Sequence, residues 1–254
     1  MHVKKLVSAI GLVTAIATGN AVADTITYTG SSASLGASAT FDVSGNTLQI
    51  TLTNTSTADV TNTAQLLTAV FFNINNSPSL SLTGASANLG ASSAIYLNGS
   101  PQTYAGLPNV GGEWAYGSGL DQYSASYGIS SSGLGLFGNP NLNGNNLADP
   151  AAVDGPNFGI TSAGDDLTTG NQGLNSVPII QNSVVFNFAL APNSGLTAAD
   201  FKNVTFQYGT DLSDPHITGD GGGGGTGTNV PEPGMLALLG IGLGALSLRK
   251  RISA

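Results

Sequence analysis

The chain contains no cysteine and almost no positive charge. Without cysteine, a disulfide-stapled scaffold, a thiol nucleophile and every cysteine-based metal site are ruled out, so an exported domain of this sequence must stand on its hydrophobic core alone. Of the 6 Lys and Arg residues, Lys4 and Lys5 lie near the N-terminus and Arg249, Lys250 and Arg251 at the C-terminus. Lys202 is the one cation between them, set against every acid of the chain except Glu232. Such a body cannot grip a phosphate backbone or an anionic lipid surface, which excludes nucleic acid as a partner. Of the 2 histidines only His216 lies in the body, too few for a catalytic zinc site.

The few cations that exist mark the ends. Lys4 and Lys5 precede an apolar run from Leu6 to Ala17, followed by the small-residue site Ala21-Val22-Ala23. This is the pattern of a secretory signal peptide, removed by signal peptidase between Ala23 and Asp24. At the other end Val230-Pro231-Glu232-Pro233 leads into an uncharged apolar stretch, Met235 to Leu248, and then the stop Arg249-Lys250-Arg251. As a helix that stretch spans about 21 Å, against a hydrocarbon core of about 30 Å, so it reads as a short transmembrane helix and a marginal anchor. The terminal cations hold the C-terminus on the cytoplasmic side and leave everything before Val230 outside. Gly219 to Thr228, with five consecutive glycines at Gly221 to Gly225, reads as a flexible linker. The expected layout is a signal peptide at 1–23, one extracellular domain at 24–218, a linker at 219–229 and a sorting signal at 230–254.

The tail resembles the PEP-CTERM sorting signal of Gram-negative bacteria. That resemblance implies an inner-membrane precursor, recognition and cleavage near Val230, Pro231, Glu232 and Pro233 by an exosortase-type enzyme, and a destination at the cell surface or in the extracellular matrix.

The body reads as all-β, a single β-sandwich or jelly-roll-like domain. Thr47 to Thr53 alternates strictly, with Leu48, Ile50 and Leu52 on one face and hydroxyl or amide groups on the other. Ser44-Gly45-Asn46 turns it back onto a hairpin partner at Ala39 to Val43. Leu66 to Ile74 is apolar on both faces and reads as a central strand covered on both sides. Ser183 to Leu190 and Asn203 to Tyr208 repeat the strand signature. Thr25 to Thr29, Ser79 to Thr83, Ala94 to Leu97 and Glu113 to Tyr116 are further strands, and only Leu196 to Phe201 points to a turn or two of helix. Between Gly106 and Gly173 the chain is rich in glycine and asparagine, as in a long functional or partly disordered loop. Within it Tyr127-Gly128-Ile129-Ser130 returns as Phe158-Gly159-Ile160-Thr161, an echo expected to form neighbouring strands of one sheet, with glycine permitting close approach.

The segments Gly112 to Tyr116, Gly133 to Gly138, Gly159 to Asp166 and Phe206 to Thr210 are similar to a family of exosortase-dependent surface proteins. The family implies export and an envelope or biofilm role linked to exopolysaccharide, and it brings no catalytic residue.

Chemistry in the body is sparse. His216 with Asp211 or Asp214 and a serine has the composition of a triad, but it sits beside the linker, where a base is not held rigidly. Glu113, the body's only glutamate, adjoins Trp114 and Tyr116, and a glycosidase needs a paired carboxylate at fixed separation. Trp114, Tyr116, Tyr123 and Tyr127 form either a stacking platform for a sugar or part of the core. Asp165 and Asp166 either help to hold calcium, which takes six to eight oxygens, or form solvated turns. The leading reading is a non-enzymatic structural or adhesive protein without a cofactor; the alternative is a lectin-like module assisted by calcium. With Lys202 as the only trypsin site between the terminal segments, the matured domain yields at most two tryptic fragments, which peptide mass mapping checks.

Overall fold

The computed structural model describes residues 24–75, 81–137, 144–147, 156–169 and 174–221, so the signal segment and the sorting tail lie outside the described residues. The protein is all-β. Its strands are β1 (Asp24–Ser32), β2 (Leu35–Ser44), β3 (Thr47–Asn54), β4 (Leu67–Ile74), β5 (Ser81–Leu89), β6 (Ala94–Leu97), β7 (Ser100–Gln102), β8 (Ala115–Gln122), β9 (Ala125–Ser130), β10 (Gly144–Asn146), β11 (Ile160–Thr161), β12 (Ile179–Gln181), β13 (Ser183–Ala189), β14 (Phe201–Tyr208), β15 (His216–Thr218) and β16 (Asp220–Gly221). They form a 6-stranded sheet in the order β16-β1-β2-β3-β13-β5 and a 10-stranded sheet built around β4.

Alternating residues explain the first sheet. Leu48, Ile50 and Leu52 of β3 are fully buried, while Gln49 is exposed and meets Asn187 across the strand pair (Nε2 to Oδ1, 3.0 Å). The β2–β3 hairpin closes between Ser44 and Thr47, where Gly45 takes the positive φ (57°) that glycine adopts without a Cβ penalty. β4 meets the expectation of a two-sided strand: every residue but Asn73 is buried. It pairs with β14 along one edge, while β9 and then β11 follow one another along the other.

The inward faces of the two sheets share one core. Phe41 of β2 lies 4.4 Å from Phe201 of β14 and 5.3 Å from Phe72 of β4, centroid to centroid. Trp114 meets Phe186 at 5.0 Å and Tyr116 meets Phe188 at 5.4 Å. A second, smaller cluster covers the outward face of β4, where Phe71 packs with Leu120, Leu134 and Phe137.

Several expectations are corrected. The stretch from Gly106 to Gly173, read as a long loop carrying a few short strands, contains β8, β9, β10 and β11 among its described residues. Its glycines serve ring packing: a Cβ on Gly117 would stand 2.9 Å from Phe137, and one on Gly128 would stand 2.9 Å from Phe71. The two Tyr/Phe-Gly-Ile segments share a sheet, but they lie end to end along β4 instead of pairing with each other. Glu113 ends a 3-10 turn and the strand begins at Ala115. The helix expected at Leu196 to Phe201 is a single 3-10 turn, Ala198–Asp200, in which the Asp200 carboxylate accepts the Thr197 N–H at 2.9 Å and its hydroxyl at 2.8 Å. The sheet also continues past residue 218 through β16.

Pairing of β16 antiparallel to β1, with Tyr28 opposite Gly221 and Thr29 opposite Asp220, directs the chain back toward the end where Asp24 begins. The first and last described strands therefore lie side by side at one edge of the first sheet.

Burial pushes the hydroxyls of Tyr116 and Tyr208 well above the ordinary tyrosine value. Their neutral forms are favoured by folding, so the stability they contribute is complete below about pH 10, the unfolded tyrosine pKa, and declines as pH rises through it. An alkaline titration should show the unfolding midpoint falling above that pH, with tyrosinate absorbance rising together with loss of structure.

Candidate functional site

At the end of the first sheet opposite Asp24, the loop after β3 is fastened to the loop after β11. The register sets this placement: Asp24 lies opposite Val43 and so near Leu48, whereas Asn54 lies opposite Ala37 at the far end. The Asn54 amide donates to the Ile160 carbonyl (2.8 Å). Asp165, buried against both loops, accepts the Val60 N–H at Oδ1 (2.7 Å) and the Thr161 hydroxyl at Oδ2, while Gln181 Nε2 donates to its carbonyl (3.3 Å). Burying a carboxylate is costly unless such donors replace its water.

The adjacent Asp166 points outward. Its Oδ1 accepts the N–H (3.1 Å) and hydroxyl (2.7 Å) of Thr168, bonds that hold its carboxyl below the usual range, and its own N–H donates to Asp59 Oδ1 (3.0 Å). Beside these loops lies a cleft of about 180 Å³ lined by Val60, Asn98, Asp165, Leu167, Thr168 and Asn175, among others. Asn98 and Gly99 both take positive φ (51° and 72°) in the turn joining β6 to β7, and Asn98 Oδ1 accepts the Ser176 N–H at 2.9 Å. The cleft has an apolar floor and an amide- and hydroxyl-bearing rim.

The calcium reading at Asp165 and Asp166 meets carboxylate oxygens already engaged by protein donors. Among the described residues, no group of three or more His, Asp or Glu side chains gathers where a metal ion would be held. Of the two readings of the aromatic group, part of the core is the one that holds for Trp114 and Tyr116. Trp114 is fully buried and Tyr116 nearly so: Trp114, just before β8, packs against Phe186, and Tyr116 of β8 against Phe188 of the opposite sheet. Tyr127 stacks between Phe72 (5.9 Å) and Tyr116 (6.4 Å). Only Tyr123 of the four reaches a different surface: it stacks on the exposed His216 at 4.4 Å and its hydroxyl donates to Gln207 Oε1. Alternation along a strand cannot show which face the opposite sheet will cover, so the sequence left both readings of these rings open.

The acids near His216 cap turns. Asp214 Oδ2 accepts the N–H groups of Thr210 (2.9 Å) and Asp211 (3.0 Å), and Asp211 Oδ1 accepts that of Ser213 (2.8 Å). Glu113 is half-buried. Sequence reasoning missed Asn54, Asn98 and Gln207 as polar anchors. Gln207 is fully buried, and its amide reaches the carbonyls of Tyr208 (2.6 Å) and Asp211 (3.1 Å). The one signal that pointed to it was a polar residue inside an apolar strand run.

The processing residues Ala21 and Ala23, the motif Val230, Pro231, Glu232 and Pro233, and the stop Arg249, Lys250 and Arg251 lie outside the described residues. Among the described residues no helix is long and apolar enough to cross a membrane. Comparison with known proteins speaks directly to the C-terminal segment: residues 229–251 match the PEP-CTERM protein-sorting motif. The chain thus carries a PEP-CTERM sorting motif, which implies processing by an exosortase-type enzyme and export to the cell envelope. No curated protein and no solved structure matches the chain.

Asp165→Asn replaces an acceptor by an amide N–H facing a buried donor, so it should destabilise the domain by about 1–3 kcal/mol in urea unfolding. Chelation of calcium should leave the midpoint of the unsubstituted protein unchanged.

Proposed function

We propose that this protein is a non-enzymatic component of the cell envelope or extracellular matrix, processed at its C-terminus and serving a structural or adhesive role in contact with exopolysaccharide. A signal peptide delivers the chain, signal peptidase frees Asp24, and the short apolar helix at 235–248 holds the precursor in the inner membrane until it is cut. The observation that carries the reading is the sorting motif at 229–251, placed directly behind a sheet domain that ends at the same edge on which it begins.

Two features support the role of the body. Its carboxylates at Asp165, Asp200, Asp211 and Asp214 are used as acceptors that fasten loops, which leaves them poorly placed for acid–base chemistry. The cleft bordered by Asn98, Thr168 and Asn175 lies at the end remote from the tether, where a β-sandwich displayed from its C-terminus meets its surroundings. Neutral amides and hydroxyls suit hydrated, hydroxyl-rich polymer, each contact being weak and the sum depending on many copies.

Mass spectrometry of protein recovered from the cell surface tests the processing. The chain should end within or just before Val230 to Pro233 and lack Arg249, Lys250 and Arg251. Full-length protein retained in the cytosol, or surface protein with the basic stop still attached, overturns the reading. Loss of the matrix polymer from cells lacking the protein, restored by the domain carrying its tail but not by the domain alone, separates a displayed role from a secreted one.

A further inference from the structure

Charge divides the two ends of the domain. At the end that holds the cleft, the loops after β3, β11 and β14 run side by side. Ile160 of β11 and Tyr208 of β14 both lie opposite Leu67 at the start of β4, and the Asn54 amide at the end of β3 reaches the Ile160 carbonyl. These loops carry Asp59, Asp165, Asp166, Asp211 and Asp214, and no lysine or arginine. Asp59, Asp166 and Asp211 are exposed. Hydrogen bonds from Thr168 and Ser213 hold the carboxyls of Asp166 and Asp211 below the usual range, so both stay ionised in mildly acidic surroundings. Lys202, the one lysine or arginine between the terminal segments, lies opposite Asn73, about 20 Å along β4 from Leu67.

A polymer bearing carboxylate, sulfate or phosphate groups meets like charge at this end. Screening over about 8 Å at physiological salt does not relieve repulsion between groups in contact. Among the described residues, no three acids converge to hold a cation that would bridge to such a polymer. The cleft offers a different chemistry. Its 180 Å³ equals the volume of about six waters, the scale of a single sugar ring. Val60, Leu174 and Ile179 in its floor belong to one small apolar cluster, and Asn98, Thr168 and Asn175 stand at its rim. Asp165, the one carboxylate among the described lining residues, turns its oxygens to Val60 and Thr161. A sugar ring, apolar on its C–H faces and hydroxyl-bearing at its edge, matches floor and rim together.

We propose that the loop end selects an uncharged polysaccharide, one ring of which sits in the cleft while the exposed carboxylates around it turn acidic polymers away. The inference rests on the exopolysaccharide reading and narrows it to a class of polymer, so the experiment separates the two.

Matrix polysaccharide from the producing cells is split on an anion exchanger into a neutral, unretained fraction and an acidic, retained one. Each is titrated with protein recovered from the cell surface, with and without added calcium. The neutral fraction should bind at least about tenfold more tightly in both conditions. Equal binding, tighter acidic binding, or acidic binding that appears with calcium overturns the neutral class and leaves the contact with exopolysaccharide standing. Binding to neither fraction overturns both. Variants locate the contact. Asn175→Ala should weaken neutral-fraction binding at least about threefold, and an unchanged affinity removes the ring from the cleft. Asp59→Asn with Asp211→Asn keeps each Oδ1 acceptor while removing two charges, and should raise acidic-fraction affinity at least about threefold over Asp42→Asn with Asp121→Asn at the other end. Equal affinities for the two double variants overturn the selection by the loop end.

Discussion

The fold depends on β4 being apolar on both faces. A strand whose two faces both avoid water cannot rest on one layer, so it requires cover from either side. Val70 and Phe72 receive the first sheet, through Phe41 and its neighbours. Phe71 and Ala69 receive Leu120, Leu134 and Phe137 from segments that follow β4 in the chain. With no disulfide to assist, this double burial is the main source of cohesion, and the glycines of β8 and β9 are what let aromatic rings approach closely enough to complete it.

Charge is used sparingly and locally. Eight per cent of residues are charged, and the described carboxylates with clear partners bind N–H and hydroxyl groups instead of cations. A carboxylate that accepts several short donors fastens a loop as a cross-link would, without the redox dependence of a disulfide. An exported protein gains loop definition in this way without relying on cations.

The placement of the ends gives the domain a direction. At its last described residue, opposite Tyr28, β16 is running toward the Asp24 end of β1, and the loops joined by Asp165 occupy the opposite end. A chain held through its C-terminus would therefore present those loops and their cleft outward. This polarity follows from hydrogen-bond register between residues nearly two hundred positions apart in the chain, so no local pattern announces it.

Local periodicity determined a good deal. The alternation of Thr47 to Thr53, the double-sided run at Leu66 to Ile74 and the strands at Ser183 and Asn203 were legible because each is a property of neighbouring residues. The sorting signal was legible for the same reason: charge, hydrophobic length and proline spacing are read along an extended chain, and the sorting motif matched as expected. Tertiary structure alone decided the rest. It buried Trp114 and Tyr116 between the sheets, turned loop-like glycines into strand positions beneath Phe71 and Phe137, and set Asp165 facing inward while Asp166 faces outward. The physical reason is that each of these outcomes depends on what a distant strand places opposite a residue, and sequence neighbours carry no record of that partner.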